Sequence, residues 1–169
     1  SYGDPIEGSN RAVINLTSRD GRLVLGDNVT LDVSAGGEAR GTIDLNARRL
    51  GAPSETSATG NDVAVEAGNN LTVNGAKRVS VNGFWSYDDA PDDTDPEHGN
   101  TQVVNQEYLD RIHDDSKDFI NAALANEELQ QRLASLKDAA GEAFSLRPGV
   151  EIVSATEDGN LRIDGDLDF

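Results

Sequence analysis

Short runs of alternating apolar and polar residues occupy both ends of the chain, over residues 11–82 and 148–169. Residues 43–45 (Ile-Asp-Leu) and 71–73 (Leu-Thr-Val) are examples. An alternation of period two is typical of a strand with one buried face. Gly, Asn and Asp separate the runs, and these residues tolerate the backbone conformations of tight corners. The pattern therefore predicts short β-strands joined by tight turns.

Three apolar pairs are spaced by a step of 20 residues. They are Leu23 with Leu25, Ile43 with Leu45, and Val63 with Val65. A fixed short period predicts a parallel β-helix, a solenoid in which each coil stacks on the previous one about 4.8 Å away. An antiparallel β-sandwich also produces short alternating strands and is the alternative.

Residues 101–147 contain a segment with helical periodicity. Asn105 and Asn126 are suitable N-caps, and apolar residues follow each of them at helical spacing until Gly141. Two such helices with a short joint form an αα-hairpin. The sequence therefore predicts a helical hairpin inserted into the β-structure, with its apolar stripes against the side of that structure. The predicted parts are β-helix coils at 1–83, an acidic loop at 84–100, the helical insertion at 101–147 and further coils at 148–169.

The net charge of the chain is −17, with 31 acidic and 14 basic residues. Nucleic acid and anionic membrane surfaces are therefore poor partners for the chain as a whole. The absence of cysteine excludes a disulfide-stapled scaffold. No segment reaches the roughly 18 consecutive apolar residues of a membrane span, so membrane insertion is not expected.

The acidic loop is a candidate calcium site because its oxygen ligands are dense. The candidate ligands are Asp88, Asp89, Asp92, Asp93 and Asp95. Their spacing does not match an EF-hand, which needs Gly at the sixth position and Glu at the twelfth. A flexible, solvated loop is the alternative. No other cofactor is predicted, since the two histidines, His98 and His113, form no metal-binding motif.

Three aromatic residues lie close together, at Phe84, Trp85 and Tyr87. If they are exposed, they are possible ligand contacts that stack on a sugar ring. The alternative is that they pack beneath the helical hairpin. The partners expected for that packing are Tyr108, Phe119 and Phe144.

Enzymatic activity is not predicted. β-Helical proteins include polysaccharide lyases and hydrolases, and a paired-carboxylate site needs two acidic side chains about 5 to 9 Å apart on one face. With a step of 20 residues, Asp44 would stack beside Val24 and Ala64, and Glu66 would have no acidic neighbour. No nucleophile or phosphate-binding motif is present.

Two segments, residues 29–37 and 65–75, resemble the degenerate repeats of filamentous haemagglutinin-like exoproteins. The resemblance covers about residues 11–82 and 148–169. It implies a right-handed parallel β-helix, export by two-partner secretion through an outer-membrane barrel, exposure on a bacterial surface, and adhesion. The motifs of the family's secretion domain are missing, which implies a position downstream of that domain.

The resemblance implies a non-catalytic structural or adhesive segment of a large secreted surface protein that mediates cell adhesion. Its expected partners are a surface receptor or glycan and, through the parent protein, the secretion partner in the outer membrane. The rival hypothesis is a carbohydrate-active β-helical enzyme, a polysaccharide lyase or hydrolase that uses surface carboxylates. A spacer without a ligand is a third hypothesis.

Overall fold

The computed structural model describes residues 12–34, 40–51 and 61–169. The rest of the predicted region 1–83, and residues 35–37 of the repeat-like segment 29–37, lie outside the described residues. The strands are β1 (Val13–Ser18), β2 (Leu23–Leu25), β3 (Thr30–Asp32), β4 (Gly41–Leu50), β5 (Asp62–Val63), β6 (Val65–Ala67), β7 (Thr72–Asn74), β8 (Ala76–Tyr87), β9 (Thr101–Val104), β10 (Phe144–Ile152) and β11 (Asn160–Ile163). The helices are α1 (Gln106–Leu124), α2 (Glu127–Arg132) and α3 (Ala134–Ala140).

The largest sheet has the strand order β1-β4-β8-β10, and each neighbouring pair is parallel. The short strand β5 adds an antiparallel pair at the end of β4. Two smaller parallel sheets join β2 to β6 and β3 to β7. The chain therefore visits the three sheets in the same order twice. The prediction of a mainly β protein with helices is confirmed, and the antiparallel sandwich is wrong.

The predicted step of 20 residues is also wrong. Ile43 pairs with Ile14 of β1, whereas Leu23 pairs with Val65 of β6. Residues 20 apart fall on different sheets because the connections between strands differ in length. An even step preserves the inward and outward alternation of strands, so the pattern looked periodic although the residues do not stack on each other.

The main core lies on the inward face of the large sheet. Ile43 and Leu45 of β4 align with Val79 and Val81 of β8, and all four side chains are fully buried. Val33, beyond β3, is buried in the same cluster. Full burial of such a side chain contributes about 1.5–3 kcal/mol, so stacked aliphatic side chains replace the aromatic residues that this chain lacks.

The helices cover this core, as predicted. The side-chain oxygen of Asn105 accepts a hydrogen bond from Tyr108 N at 2.9 Å, and Asn126 caps α2 in the same way. Phe119 of α1, Leu129 of α2 and Leu136 of α3 are fully buried in the cluster formed by the strands. The second predicted helix is divided at Leu133 into α2 and α3.

A glycine allows α1 to approach the sheet closely. A Cβ atom at Gly83 would lie 2.8 Å from Val63 Cγ2 and 2.9 Å from Phe119 Cζ. Real Cβ atoms do not make contacts that short. The absence of a side chain at Gly83 therefore creates the space that the Phe119 ring fills.

Three predicted boundaries differ from the structure. Strand β8 continues through Tyr87, so residues 84–87 belong to the sheet and not to the acidic loop. Residues 101–104 form strand β9, which pairs in parallel with β11. The tail at 167–169, expected to form a strand, has none. An alternating pattern alone does not make a strand where no neighbouring strand is available to pair with it.

Candidate ligand site around Trp85

The three aromatic residues have different surroundings. Tyr87 is 6 % exposed and belongs to a second buried cluster with Tyr108, Leu109 and Ile112 of α1. The predicted packing beneath the helices is therefore confirmed for Tyr87. Trp85 is half-buried at the edge of this cluster, and Phe84 is half-buried outside it. Of the three, Trp85 therefore combines packing against the core with a surface accessible to a ligand.

The position of Trp85 follows from the lengths of the strands. Pairing between β4 and β8 ends with Arg48 opposite Phe84. Strand β8 continues beyond this point and pairs on its other side with β10, where Trp85 lies opposite Val150. Trp85 is thus the first residue of β8 beyond the end of β4. This missing neighbour leaves a recess beside the indole.

Three adjoining recesses share Trp85, and we call them together the Trp85 groove. The first, of about 430 Å³, is lined by residues that include Arg22, Arg48 and Arg49. The second, of about 340 Å³, is lined by residues that include Arg19 and Glu151. The third, of about 430 Å³, lies between β8 and α1. An aromatic residue in a recess with a few polar groups is typical of a small-ligand site.

Two guanidinium groups flank the indole. Arg48 Cζ lies 5.7 Å from the centroid of the Trp85 ring, and Arg49 Cζ lies 5.8 Å from it. Both distances are in the range of cation–π attraction. Arg48 is exposed, whereas Arg49 is 2 % exposed. Arg48 can therefore contact a ligand, while Arg49 has a structural position behind the ring.

Arg49 belongs to a buried polar network that fixes the floor of the groove. Its Nη1 lies 3.1 Å from Asp115 Oδ2, which also accepts a hydrogen bond from Tyr87 Oη at 2.6 Å. Burial, followed by the neighbouring Asp115 carboxylate, raises the pKa of Tyr87 to about 12. Arg49 Cζ also lies 4.3 Å from the Phe119 ring centroid. The network thus holds β4, β8 and α1 together beneath Trp85.

Glu151 of β10 forms one rim of the groove. Its Oε2 lies 3.3 Å from Arg19 Nη1 and accepts a hydrogen bond from Ser86 Oγ at 3.0 Å. The side chain of Arg19 is 68 % exposed, so this pair is a surface contact that a ligand can displace. Amide groups continue the rim along the outer face of the sheet, at Asn46 and Asn82.

The five aspartates of the predicted calcium site have separate partners. Asp89 accepts a hydrogen bond from Tyr108 Oη at 2.8 Å, whereas Asp93 Oδ2 lies 2.6 Å from His98 Nδ1. The backbone amide of Asp95, His98 and the charge of Arg162 lower the pKa of Asp93. Burial and the Asp89 carboxylate raise the pKa of Tyr108. Across the described residues, no group of three or more acidic or histidine side chains is arranged to hold a metal ion.

The two carboxylates considered for catalysis lie on different sheets. Asp44 of β4 aligns with Asn15 and Ser80, not with Val24 and Ala64, and it accepts a hydrogen bond from Ser80 Oγ at 2.6 Å. Glu66 of β6 aligns with Val24 and is exposed. The structure therefore does not bring Asp44 and Glu66 together.

The arginines of the groove are the residues that sequence reasoning missed. Arg19 and Arg22 follow β1, and Arg48 and Arg49 end β4, so they are distant in sequence and close in space. The Arg48-Arg49 pair stands out in an acidic chain and was the available signal. The parallel pairing of β1 with β4 was needed to place Arg19 and Arg22 beside it.

No helix in the described part of the chain is long and apolar enough to span a bilayer. Comparisons with models of protein families, with curated proteins and with solved structures gave no match for this chain.

Proposed function

We propose that this chain is a non-catalytic adhesive segment of a large haemagglutinin-like protein on a bacterial surface, and that the Trp85 groove contacts a glycan there. In this proposal the strands form a right-handed parallel β-helix, and the parent protein is exported through an outer-membrane partner. The observation that carries the proposal is the groove itself, in which an accessible indole is surrounded by hydrogen-bonding side chains.

The pairing of the strands supports a β-helix. β1, β2 and β3 pair in parallel with β4, β6 and β7 respectively, so each sheet recurs in the same chain order. The corners repeat too, since Asn70 Nδ2 donates to Asn28 Oδ1 at 2.8 Å and both residues have positive φ. β8 and β10 extend the large sheet by two more strands.

The groove supports binding without turnover. Its carboxylate Glu151 is held by Arg19 and Ser86, and Asp115 is held by Arg49 and Tyr87. These carboxylates lie in different recesses, at opposite sides of Trp85. The side chains of the groove can thus donate hydrogen bonds to sugar hydroxyls and offer an apolar ring surface, which is the chemistry of recognition.

The test uses the purified chain and its single tryptophan. Because Trp85 is the sole tryptophan of the sequence, a change in tryptophan fluorescence on addition of a glycan reports directly on the groove. We expect glycans selected on an array to change this fluorescence and to compete with attachment of the chain to cells. Trp85→Ala should abolish both effects, whereas Lys117→Gln, on the exposed face of α1, should leave attachment unchanged.

Two results would contradict the proposal. Attachment to cells that is unaffected by Trp85→Ala, in a variant with an unchanged circular dichroism spectrum, would remove the groove from adhesion. Cleavage of an acidic polysaccharide that Asp44→Ala or Glu66→Ala abolishes would establish an enzyme instead. Absence of any glycan or cell binding would leave the chain as a spacer.

A further inference from the structure

We propose that the ligand of the Trp85 groove is an acidic glycan whose sugar carboxylate is bound by Arg22 and Arg48 while a pyranose ring stacks on Trp85. This inference rests on the proposed function and specifies its ligand. It follows from the charges around the indole, which are opposite in sign to those of the whole chain.

The first recess of the groove is cationic. Arg22, Arg48 and Arg49 line it together with a single carboxylate, Asp20. Arg49 is neutralised by Asp115, which lies outside this recess. Arg22 and Arg48 form no ion pair with any residue that the structure describes, and both are exposed. Two uncompensated positive charges therefore face this recess in a chain of net charge −17.

The chemistry of arginine favours a carboxylate as their partner. The guanidinium group presents a planar set of donors that matches the two oxygens of a carboxylate. Arg48 lies beside the indole, with its Cζ 5.7 Å from the ring centroid. A pyranose ring carries its carboxylate at its edge and an apolar C–H surface on its face. One sugar can thus place its face on Trp85 and its carboxylate on Arg48.

The overall negative charge does not prevent such binding. The Debye length is about 8 Å at physiological ionic strength, so acidic side chains elsewhere on the molecule are largely screened from a ligand in the groove. The local arginines act at contact distance, where screening is weak. We therefore expect binding to persist at physiological salt.

The experiment compares two ligands that differ only in charge. The probes are a short oligomer of galacturonic acid and its full methyl ester, which has the same sugar rings and no carboxylates. Titration of Trp85 fluorescence should show binding of the acid, and the ester should bind at least about tenfold more weakly because it lacks the charge-assisted hydrogen bonds. A sulfated oligosaccharide with the same number of anionic groups tests whether negative charge alone is sufficient.

Matched variants connect the charge preference to the two arginines. Arg22→Gln and Arg48→Gln should each weaken binding of the acid about tenfold and should change binding of the ester little. Lys117→Gln removes one positive charge outside the groove and should leave both affinities unchanged. Thermal unfolding of each variant establishes that the fold is retained, and exposed arginine positions are expected to tolerate the change.

Each result supports or overturns the inference separately from the proposed function. Equal affinity for acid and ester, tighter binding of the sulfated oligomer, or wild-type affinity in both arginine variants would overturn the carboxylate assignment. If neutral glycans still bound at Trp85 in that case, the adhesive function would stand. If the acid oligomer bound as expected but Trp85→Ala left cell attachment unchanged, the ligand class would stand and the adhesive role would fail.

Discussion

Arg49 and Asp115 form an ion pair between strand β4 and helix α1, with 3.1 Å between Nη1 and Oδ2 and side chains only 2 % and 10 % exposed. The two residues are far apart in sequence, and their pairing joins the helical insertion to the large sheet. A buried pair of this kind fixes one arrangement of the elements around it, because either charge alone would lack compensation.

Replacement of one partner should therefore destabilise the chain strongly. Arg49→Met leaves the Asp115 carboxylate buried without its counter-charge, and we expect a loss of about 3–5 kcal/mol in the free energy of unfolding. Urea denaturation followed by circular dichroism measures this loss. The double variant Arg49→Met with Asp115→Leu should recover part of it, because neither charge then remains.

The matched control is the exposed pair of Arg111 and Asp89. Its atoms are 3.2 Å apart, but both side chains are more than 60 % exposed. Arg111→Met should cost at most about 1 kcal/mol, as is usual for a surface pair. A similar loss in Arg49→Met and Arg111→Met would show that Arg49 and Asp115 are hydrated, in conflict with the described packing.

The raised pKa of Tyr87 predicts instability in alkali. The native pKa is about 12, whereas an unfolded tyrosine ionises near 10.0. The native state therefore holds its phenolic proton more tightly, so this contribution to stability is complete below about pH 10 and is lost as the pH rises toward 12. Tyr87→Phe removes the ionisation, and its free energy of unfolding should fall less between about pH 9 and about pH 11 than that of the wild type. Parallel pH profiles for both proteins would contradict the assignment.

The local features of the fold could be predicted from the sequence. The caps at Asn105 and Asn126 depend on residues within one helical turn, and both are present. The inward residues Ile43 and Leu45 were identified by alternation alone. The register could not be predicted, because pairing of Leu23 with Val65 depends on connections whose lengths follow no fixed period.

The candidate site shows the same division between local and long-range information. The aromatic cluster was visible in the sequence, and burial of Tyr87 followed from its expected packing beneath the helices. The arginine set was not visible, because Arg22 and Arg48 meet only after β1 and β4 have paired. A site assembled across sheet neighbours requires the register, which alternation does not supply.

An asparagine ladder on the outer face of the large sheet should contribute measurable stability. Asn46 Nδ2 donates to Asn15 Oδ1 at 2.8 Å, and Asn46 Oδ1 accepts from Asn82 Nδ2 at 2.9 Å. Asn46→Ala removes both hydrogen bonds and should cost about 1–2 kcal/mol. Asn74→Ala is the control, since Asn74 is exposed on a strand without a side-chain hydrogen bond, and its effect should stay within about 0.5 kcal/mol. Equal losses in chemical denaturation would show that the ladder is not formed.

Two glycines at one stacked corner test whether successive passes of the chain lie directly on each other. Gly68 N donates to Leu25 O at 2.7 Å, which places Gly68 against Gly26. A Cβ atom at Gly68 would lie 2.5 Å from the carbonyl carbon of Gly26, whereas a Cβ atom at Gly26 would have 3.9 Å to its nearest neighbour, Val29 Cγ2.

Gly68→Ala should therefore force the two corners apart, while Gly26→Ala should be tolerated. We expect a loss of about 1–3 kcal/mol for Gly68→Ala, the usual cost of overpacking, and a change within about 0.5 kcal/mol for Gly26→Ala. The chemistry of the two substitutions is the same, so differences in the unfolded chain cancel. The contrast in urea midpoints thus isolates the stacking contact, and equal midpoints for the two variants would mean that Gly68 does not lie on Gly26, which would remove the basis for stacked coils at this corner.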